Sequence, residues 1–177
     1  MNKAFFLDRD GVLNYERGYI KEWKKIKFYK NTIKALKNIQ NKKYLIFIIT
    51  NQSIIARKIA KRKDIDILHI TLIQYFKTKK INLTKVYLCP HHPNFNLNCK
   101  CRKPKNGIIK KAKKKFNIDL KRSWLIGDKT SDIKAGKISG LKTVMVKTGY
   151  GGRDKLYKVK PDYIFKNLYE ATKKLKY

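Results

Sequence analysis

Ala4-Phe5-Phe6-Leu7-Asp8-Arg9-Asp10-Gly11-Val12 is an apolar run that breaks into two carboxylates one residue apart. The run reads as a buried strand, and residues i and i+2 of a strand point to the same side, so Asp8 and Asp10 share a face. Like charges that close repel and raise a pKa unless a cation or a reaction uses them. A magnesium-assisted nucleophile with a proton-transfer partner would use them. The competing reading is a polar exit from strand to turn, since Asp and Gly both favour turns.

Outward from this stretch, short apolar runs alternate with longer helical ones, which argues for an α/β fold on a mostly parallel sheet. Strands are expected near residues 3–7, 44–50, 85–88, 123–126, 143–146 and 162–165, and helices over 31–40, 64–76, 107–116, 131–139 and 167–175. Ile65, Leu68, Leu72 and Phe76 form a helical stripe that a core explains without a functional role. His69 lies among them and reads as a structural or surface histidine. Polar residues interrupt the pattern just beyond three strands, at Asp8, Thr50 and Asp128. In an open α/β sheet, ligands bind outside the carboxyl ends of the strands. Asp8 and Asp10, Thr50-Asn51-Gln52-Ser53 and Gly127-Asp128-Lys129 would therefore meet in one crevice, with groups suited to phosphoryl transfer at magnesium.

A length of 177 residues fits one domain, residues 1–177, and an apolar share of 42% fills one core. No apolar stretch reaches the roughly 18 to 20 residues of a membrane span, so a cytoplasmic protein with no membrane partner is expected. The net charge of +33 first suggests nucleic acid. Yet only seven of the 45 basic residues are arginine, and the lysines are spread over nearly every helix. Arginine is the residue suited to bidentate phosphate recognition, so a biased composition with solvated basic surfaces is the better account. Nucleic-acid binding beyond non-specific attraction is not expected. A basic zinc-containing nucleic-acid-binding protein is kept as the reading from another class. Three cysteines, Cys89, Cys99 and Cys101, do not make a disulfide framework. With His91 or the adjacent His92 they offer three thiolates and an imidazole, suited to a closed, structural tetrahedral zinc site.

The residues resemble the haloacid dehalogenase-like phosphatases. Asp8-Arg9-Asp10-Gly11 is similar to that family's first motif, Thr50 to its second, Lys103 to its third, and Gly127-Asp128-Lys129-Thr130-Ser131-Asp132 to its fourth. Within the family, Cys89-Pro90-His91-His92-Pro93 followed by Cys99-Lys100-Cys101-Arg102-Lys103-Pro104 is similar to the metal loop of branches acting on a bisphosphorylated sugar and on histidinol phosphate. Gly18-Tyr19 and Lys129 favour the sugar branch. The resemblance implies a Rossmann-like three-layer sandwich with no large cap domain and a zinc-binding loop, acting as a phosphoric monoester hydrolase; a monomer is expected.

For the site, the resemblance implies Asp8 as nucleophile, Asp10 as general acid and base, and Thr50 and Lys103 as holders of the phosphoryl oxygens. Magnesium would be held by Asp8, the Asp10 backbone carbonyl and Asp128; zinc by Cys89, His91, Cys99 and Cys101. Glu16, Arg17, Gly18 and Tyr19 match the family's substrate loop, Asn51, Gln52, Ser53 and Lys129 would also face substrate, and Arg102 is the candidate for the distal phosphate. Asp132 would orient Lys129 from one helical turn away. Ile54 stands where the family usually has glycine, which implies an altered backbone angle after Ser53. Val12 replaces the commoner threonine, a change expected to be mild.

Overall fold

The computed structural model describes residues 1–95 and 99–175. Six strands form one parallel sheet: β1 (Ala4–Leu7), β2 (Leu45–Asn51), β3 (Lys85–Cys89), β4 (Trp124–Gly127), β5 (Lys142–Val146) and β6 (Tyr163–Phe165), in the order β3-β2-β1-β4-β5-β6. A sheet covered on both faces needs apolar side chains on both sides of each strand, which is why its strands are runs without alternation. Phe5, Leu7, Ile46, Ile48, Trp124 and Ile126 point to one face. There they pack with α1 (Thr32–Asn41), α2 (Arg62–Thr78) and α5 (Leu168–Lys174) through Leu36, Ile39, Leu72, Phe76 and Ala171. Ala4, Phe6, Phe47, Ile49 and Leu125 point the other way, onto α3 (Gly107–Phe116) and α4 (Thr130–Lys137) through Ile108, Ile109, Ala112 and Ala135. The three layers are those of a doubly wound α/β sandwich.

All six strands and five helices expected from the sequence are present, with edges moved by one or two residues. Helix α2 begins earlier than its apolar stripe because Asp64 accepts the Lys61 N–H at 2.9 Å, capping the first turn. Helix α4 ends at Lys137 because the chain turns back through Gly140, at φ 75°, and Leu141 donates its N–H to the Gly136 carbonyl. Among the described residues, the segment between β1 and α1 holds one short 3-10 turn, Trp23–Lys25, and no cap domain. Among the described residues no helix is long and apolar enough to cross a membrane.

This strand order fixes the position of the site. From β1 the chain winds one way to β2 and β3, then returns across to β4 on the other side of β1. The crevice of such a sheet opens outside the carboxyl ends of the strands flanking this reversal. Asp8 follows β1 and Asp128 follows β4.

Candidate active site and metal loop

Beyond Leu7 the chain leaves the sheet in a tight turn. Asp8 donates its N–H to the Ile126 carbonyl at 3.0 Å, and the Arg9 carbonyl accepts from Leu13 and Asn14. Gly11 sits at φ 86°, where a side chain would be strained and its Cβ would also lie on the Asp128 carboxylate. Gly149, at φ 59°, closes against the same carboxylate from the opposite segment. Asp128 is fully buried between them: Oδ2 accepts the Tyr150 N–H at 2.8 Å, and Oδ1 has no partner.

Asp8, Asp128 and Asp132 present carboxylate oxygens within 4.8 Å of one another. Burial, with Asp8 and Asp132 adding, pushes Asp128 up to about 8. Burial also pushes Asp8 up to about 6, with Asp132 adding to the rise and the Lys103 and Lys129 ammonium groups opposing it. A partnerless carboxylate oxygen inside a cluster of buried carboxylates is what a hard divalent cation would satisfy, so the donor set fits magnesium.

Lys103 comes from a distant part of the chain. Its buried Nζ donates to Asp8 Oδ1 at 2.8 Å, to Asp132 Oδ1 at 2.6 Å and to the Ile49 carbonyl at 2.8 Å. Those bonds use all three ammonium protons. Burial alone would lower its pKa, but Asp132 and Asp8 hold it above the ordinary lysine value. Asn51 fixes the Lys103 backbone by a reciprocal pair, accepting its N–H at 3.1 Å and donating to its carbonyl at 3.2 Å. Asp132 therefore pairs with the Lys103 ammonium, and it meets Lys129 through the backbone, accepting its N–H at 3.1 Å. The Lys129 ammonium reaches Glu16 Oε2 at 3.1 Å and lies over the Tyr150 ring.

Asp10 has a different setting. Its carboxylate takes a two-pronged bond from Arg9, at 3.1 and 2.7 Å, and single bonds from Asn14 at 2.8 Å and Gln52 at 3.1 Å. Burial would raise its pKa, but the Arg9 charge and these donors hold it below the usual carboxylate value. Gln52 also donates to Thr50 Oγ1 at 2.7 Å, so the Thr50 hydroxyl keeps its proton for another acceptor.

A cavity of about 740 Å³ opens over these groups. Asp8, Asp10, Glu16, Gly18, Tyr19, Thr50, Asn51, Gln52, Ser53, Arg102, Lys103 and Lys129 all line it. Arg17 is exposed and is not among the residues that line it. Ile54 is buried, packs with Ala60 and Ile65, and does not take the left-handed angle that a glycine there would allow. Tyr150, Asp154 and Tyr157 line the cleft as well, and sequence reasoning missed them. The Gly149-Tyr150-Gly151-Gly152 run after β5 was the available signal.

The cysteine loop forms a separate cluster. Cys89 Sγ lies 3.0 Å from Cys101 Sγ and 3.8 Å from Cys99 Sγ, and His91 Nδ1 lies 3.2 Å from Cys101 Sγ. All four donor atoms fall within 4.8 Å of one another. His92 is outside the group, its Nε2 facing Arg57 at 3.3 Å. Burial pushes the Cys89 thiol up, so a bound cation would stabilise the thiolate there. Three sulfurs and one imidazole nitrogen fit zinc. Arg102, next to the last of these sulfurs, donates to the His91 carbonyl at 2.9 Å and so ties the cleft rim to the loop.

Fold and site together define a haloacid dehalogenase-like hydrolase, and the family model described as HAD-hyrolase-like matches residues 100–171. The chain is 40% identical over 154 residues to the D-glycero-alpha-D-manno-heptose-1,7-bisphosphate 7-phosphatase of Photorhabdus laumondii, a match covering 84% of each chain. It is also 40% identical to the D-glycero-beta-D-manno-heptose-1,7-bisphosphate 7-phosphatase of Pasteurella multocida, again over 84% of each. The fold is shared with the D,D-heptose 1,7-bisphosphate phosphatase of B. bronchiseptica, solved with magnesium and phosphate, at a TM-score of 0.87 and 22% identity, covering 97% of this chain and 96% of that one. The chain belongs to the D-glycero-D-manno-heptose-1,7-bisphosphate 7-phosphatase family of haloacid dehalogenase-like hydrolases.

Proposed function

We propose that this protein, a single domain acting in the cytoplasm, is a magnesium-dependent phosphatase that removes the 7-phosphate of D-glycero-D-manno-heptose 1,7-bisphosphate. That reaction would lie on the route to activated heptose for cell-surface polysaccharide. The observation that carries the reading is Asp8 at the end of the central strand, paired with Lys103 and set beside the partnerless Asp128 oxygen. The relatives at 40% identity supply the substrate.

In this reading Asp8 attacks phosphorus and becomes an aspartyl phosphate. Asp8, the Asp10 backbone carbonyl and Asp128 would hold magnesium, which when bound offsets the carboxylate charge and polarises the phosphoryl group. Lys103, through its charge and the proton released when Asp8 turns to phosphorus, and Thr50, through its free proton, stabilise the phosphoryl oxygens. Asp10 gives a proton to the departing sugar oxygen, then takes one from the water that hydrolyses the aspartyl phosphate. Asp10 rests ionised on Arg9, and an arriving phosphate dianion opposes the arginine field and favours the protonated form it needs first. Arg102, Lys129, Glu16 and Tyr19 receive the sugar and its distal phosphate, while Asn51 and Gln52 hold Lys103 and Asp10 in place. Cys89, His91, Cys99 and Cys101 would hold structural zinc.

The test is turnover of both anomers of heptose 1,7-bisphosphate and of histidinol phosphate with magnesium present, identifying the phosphate removed. Release from position 7 is expected. Release from position 1, or turnover of histidinol phosphate alone, would overturn the substrate assignment.

A further inference from the structure

Arg9 is the largest charged side chain with no exposure at all. Its guanidinium spends two donors on the Asp10 carboxylate, and the remaining arm, Nη1, meets His69 Nε2 at 2.9 Å. Arginine only donates, so His69 accepts at Nε2 and carries its own proton on Nδ1. His69 is the one polar side chain on the buried face of α2, whose other buried members are Ile65, Leu68, Leu72 and Phe76. Burial, reinforced by the neighbouring Arg9 charge and faintly by Arg62, keeps the imidazole neutral by lowering its pKa to about 3, against a smaller pull from Asp10. It is thus a permanent acceptor across the range in which an enzyme works.

The mechanism above gives Asp10 two proton transfers and leaves His69 unused. We propose that His69 is a positioning residue for that reaction: it anchors the third arm of Arg9 and thereby fixes the Asp10 carboxylate at the angle from which it exchanges its proton. The inference rests on the reading of Asp10 as general acid and base. Packing alone does not account for His69, because an apolar side chain would complete the α2 stripe and leave a buried guanidinium arm unpaired. Without the imidazole, Arg9 Nη1 must turn toward another acceptor. The nearest charged one in its own network is the Asp10 carboxylate, which already accepts four bonds. Asn14 and Gln52 still restrain Asp10, so the expected loss is partial. Misplacing a catalytic group by a fraction of an ångström costs rate while leaving substrate affinity intact.

The experiment compares His69→Leu, which cannot accept, with His69→Gln, which can, on two substrates. A sugar phosphate needs its leaving oxygen protonated; p-nitrophenyl phosphate does not, because nitrophenolate is stable as an anion. His69→Leu is expected to lower kcat on heptose bisphosphate by about tenfold, with KM changed by less than about twofold. Single-turnover release of nitrophenolate should stay near the parent rate, and His69→Gln should recover most of the kcat. His69→Met replaces the leucine variant if that one fails to fold. Equal turnover of the parent and the apolar variant overturns the proposal, as does an equal loss on both substrates that glutamine does not repair. Asp10→Asn separates the two levels. If it fails to discriminate between the substrates, the reading of Asp10 falls and takes this inference with it. If it discriminates while the His69 variants do not, only the role of His69 falls.

Discussion

Magnesium affinity should depend steeply on pH, in a window set by the buried carboxylates. Asp128 stands at about 8 and Asp8 at about 6, both raised chiefly by burial among like charges. At pH 7 a group at 8 is only about one-tenth ionised, so a cation must displace its proton before it binds. That competition weakens apparent affinity about fiftyfold at pH 6 relative to pH 8 for Asp128, and Asp8 contributes about twofold more. The expectation is a rise on the order of a hundredfold between pH 6 and 8, then less than about twofold from pH 8 to 9. Titration calorimetry of the metal-free protein in buffers of different ionisation enthalpy reads both the affinity and the protons released, about one at pH 7. Stability carries the opposite sign. Between about pH 4 and 8 the folded chain keeps a proton on Asp128 that the unfolded chain releases, so the Asp128 contribution to metal-free stability is full below that window and is lost as pH rises through it. Flat affinity from pH 6 to 8 with no proton released would show that neither Asp128 nor Asp8 holds a proton that magnesium displaces.

Lys103→Met leaves Asp8 and Asp132 buried without their shared cation. It should destabilise the fold by about 3–5 kcal/mol in denaturant titrations and lower kcat by about 10²–10³. If the cysteine loop holds zinc as proposed, elemental analysis should find it in the parent and not in Cys101→Ser, whose Tm should fall. Because Arg102 is tied to the loop through His91, the same change should raise KM more than it lowers kcat. The net charge of +33 draws in an anionic substrate. Raising ionic strength from about 0.01 to 0.15 M shortens the screening length from about 30 to 8 Å, and kcat/KM should fall while kcat at saturation holds.

The sheet was legible because burial on both faces writes strands as uninterrupted apolar runs, as in Ala4–Leu7 and most of Leu45–Asn51. Asp8, Thr50 and Asp128 stood out because each breaks such a run at a carboxyl end. The grouping of Cys89, Cys99 and Cys101 was legible from their spacing, while the choice of His91 over His92 leaned on the family resemblance. What escaped was long-range pairing. Asp132 lies close to Lys129 in sequence, yet the cation that reaches it is Lys103, carried in by the cysteine loop. Periodicity placed His69 on the right helix but says nothing of a partner 60 residues away. Arg17 adjoins Glu16 and Gly18 in sequence, yet it is not among the residues that line the cleft. Tyr150 and Tyr157 reach the cleft because the chain beyond β5 folds back over Asp128, where the Gly152 N–H donates to the Asp128 carbonyl at 2.8 Å.

In the proposed reaction Asp8 carries the phosphoryl group. Acid quenching of the enzyme during turnover of radiolabelled heptose 1,7-bisphosphate, followed by peptide mapping, should find an acid-stable, base-labile label on Asp8 and none in Asp8→Asn. Turnover at the parent rate by Asp8→Asn, or label on any other residue, would contradict the account.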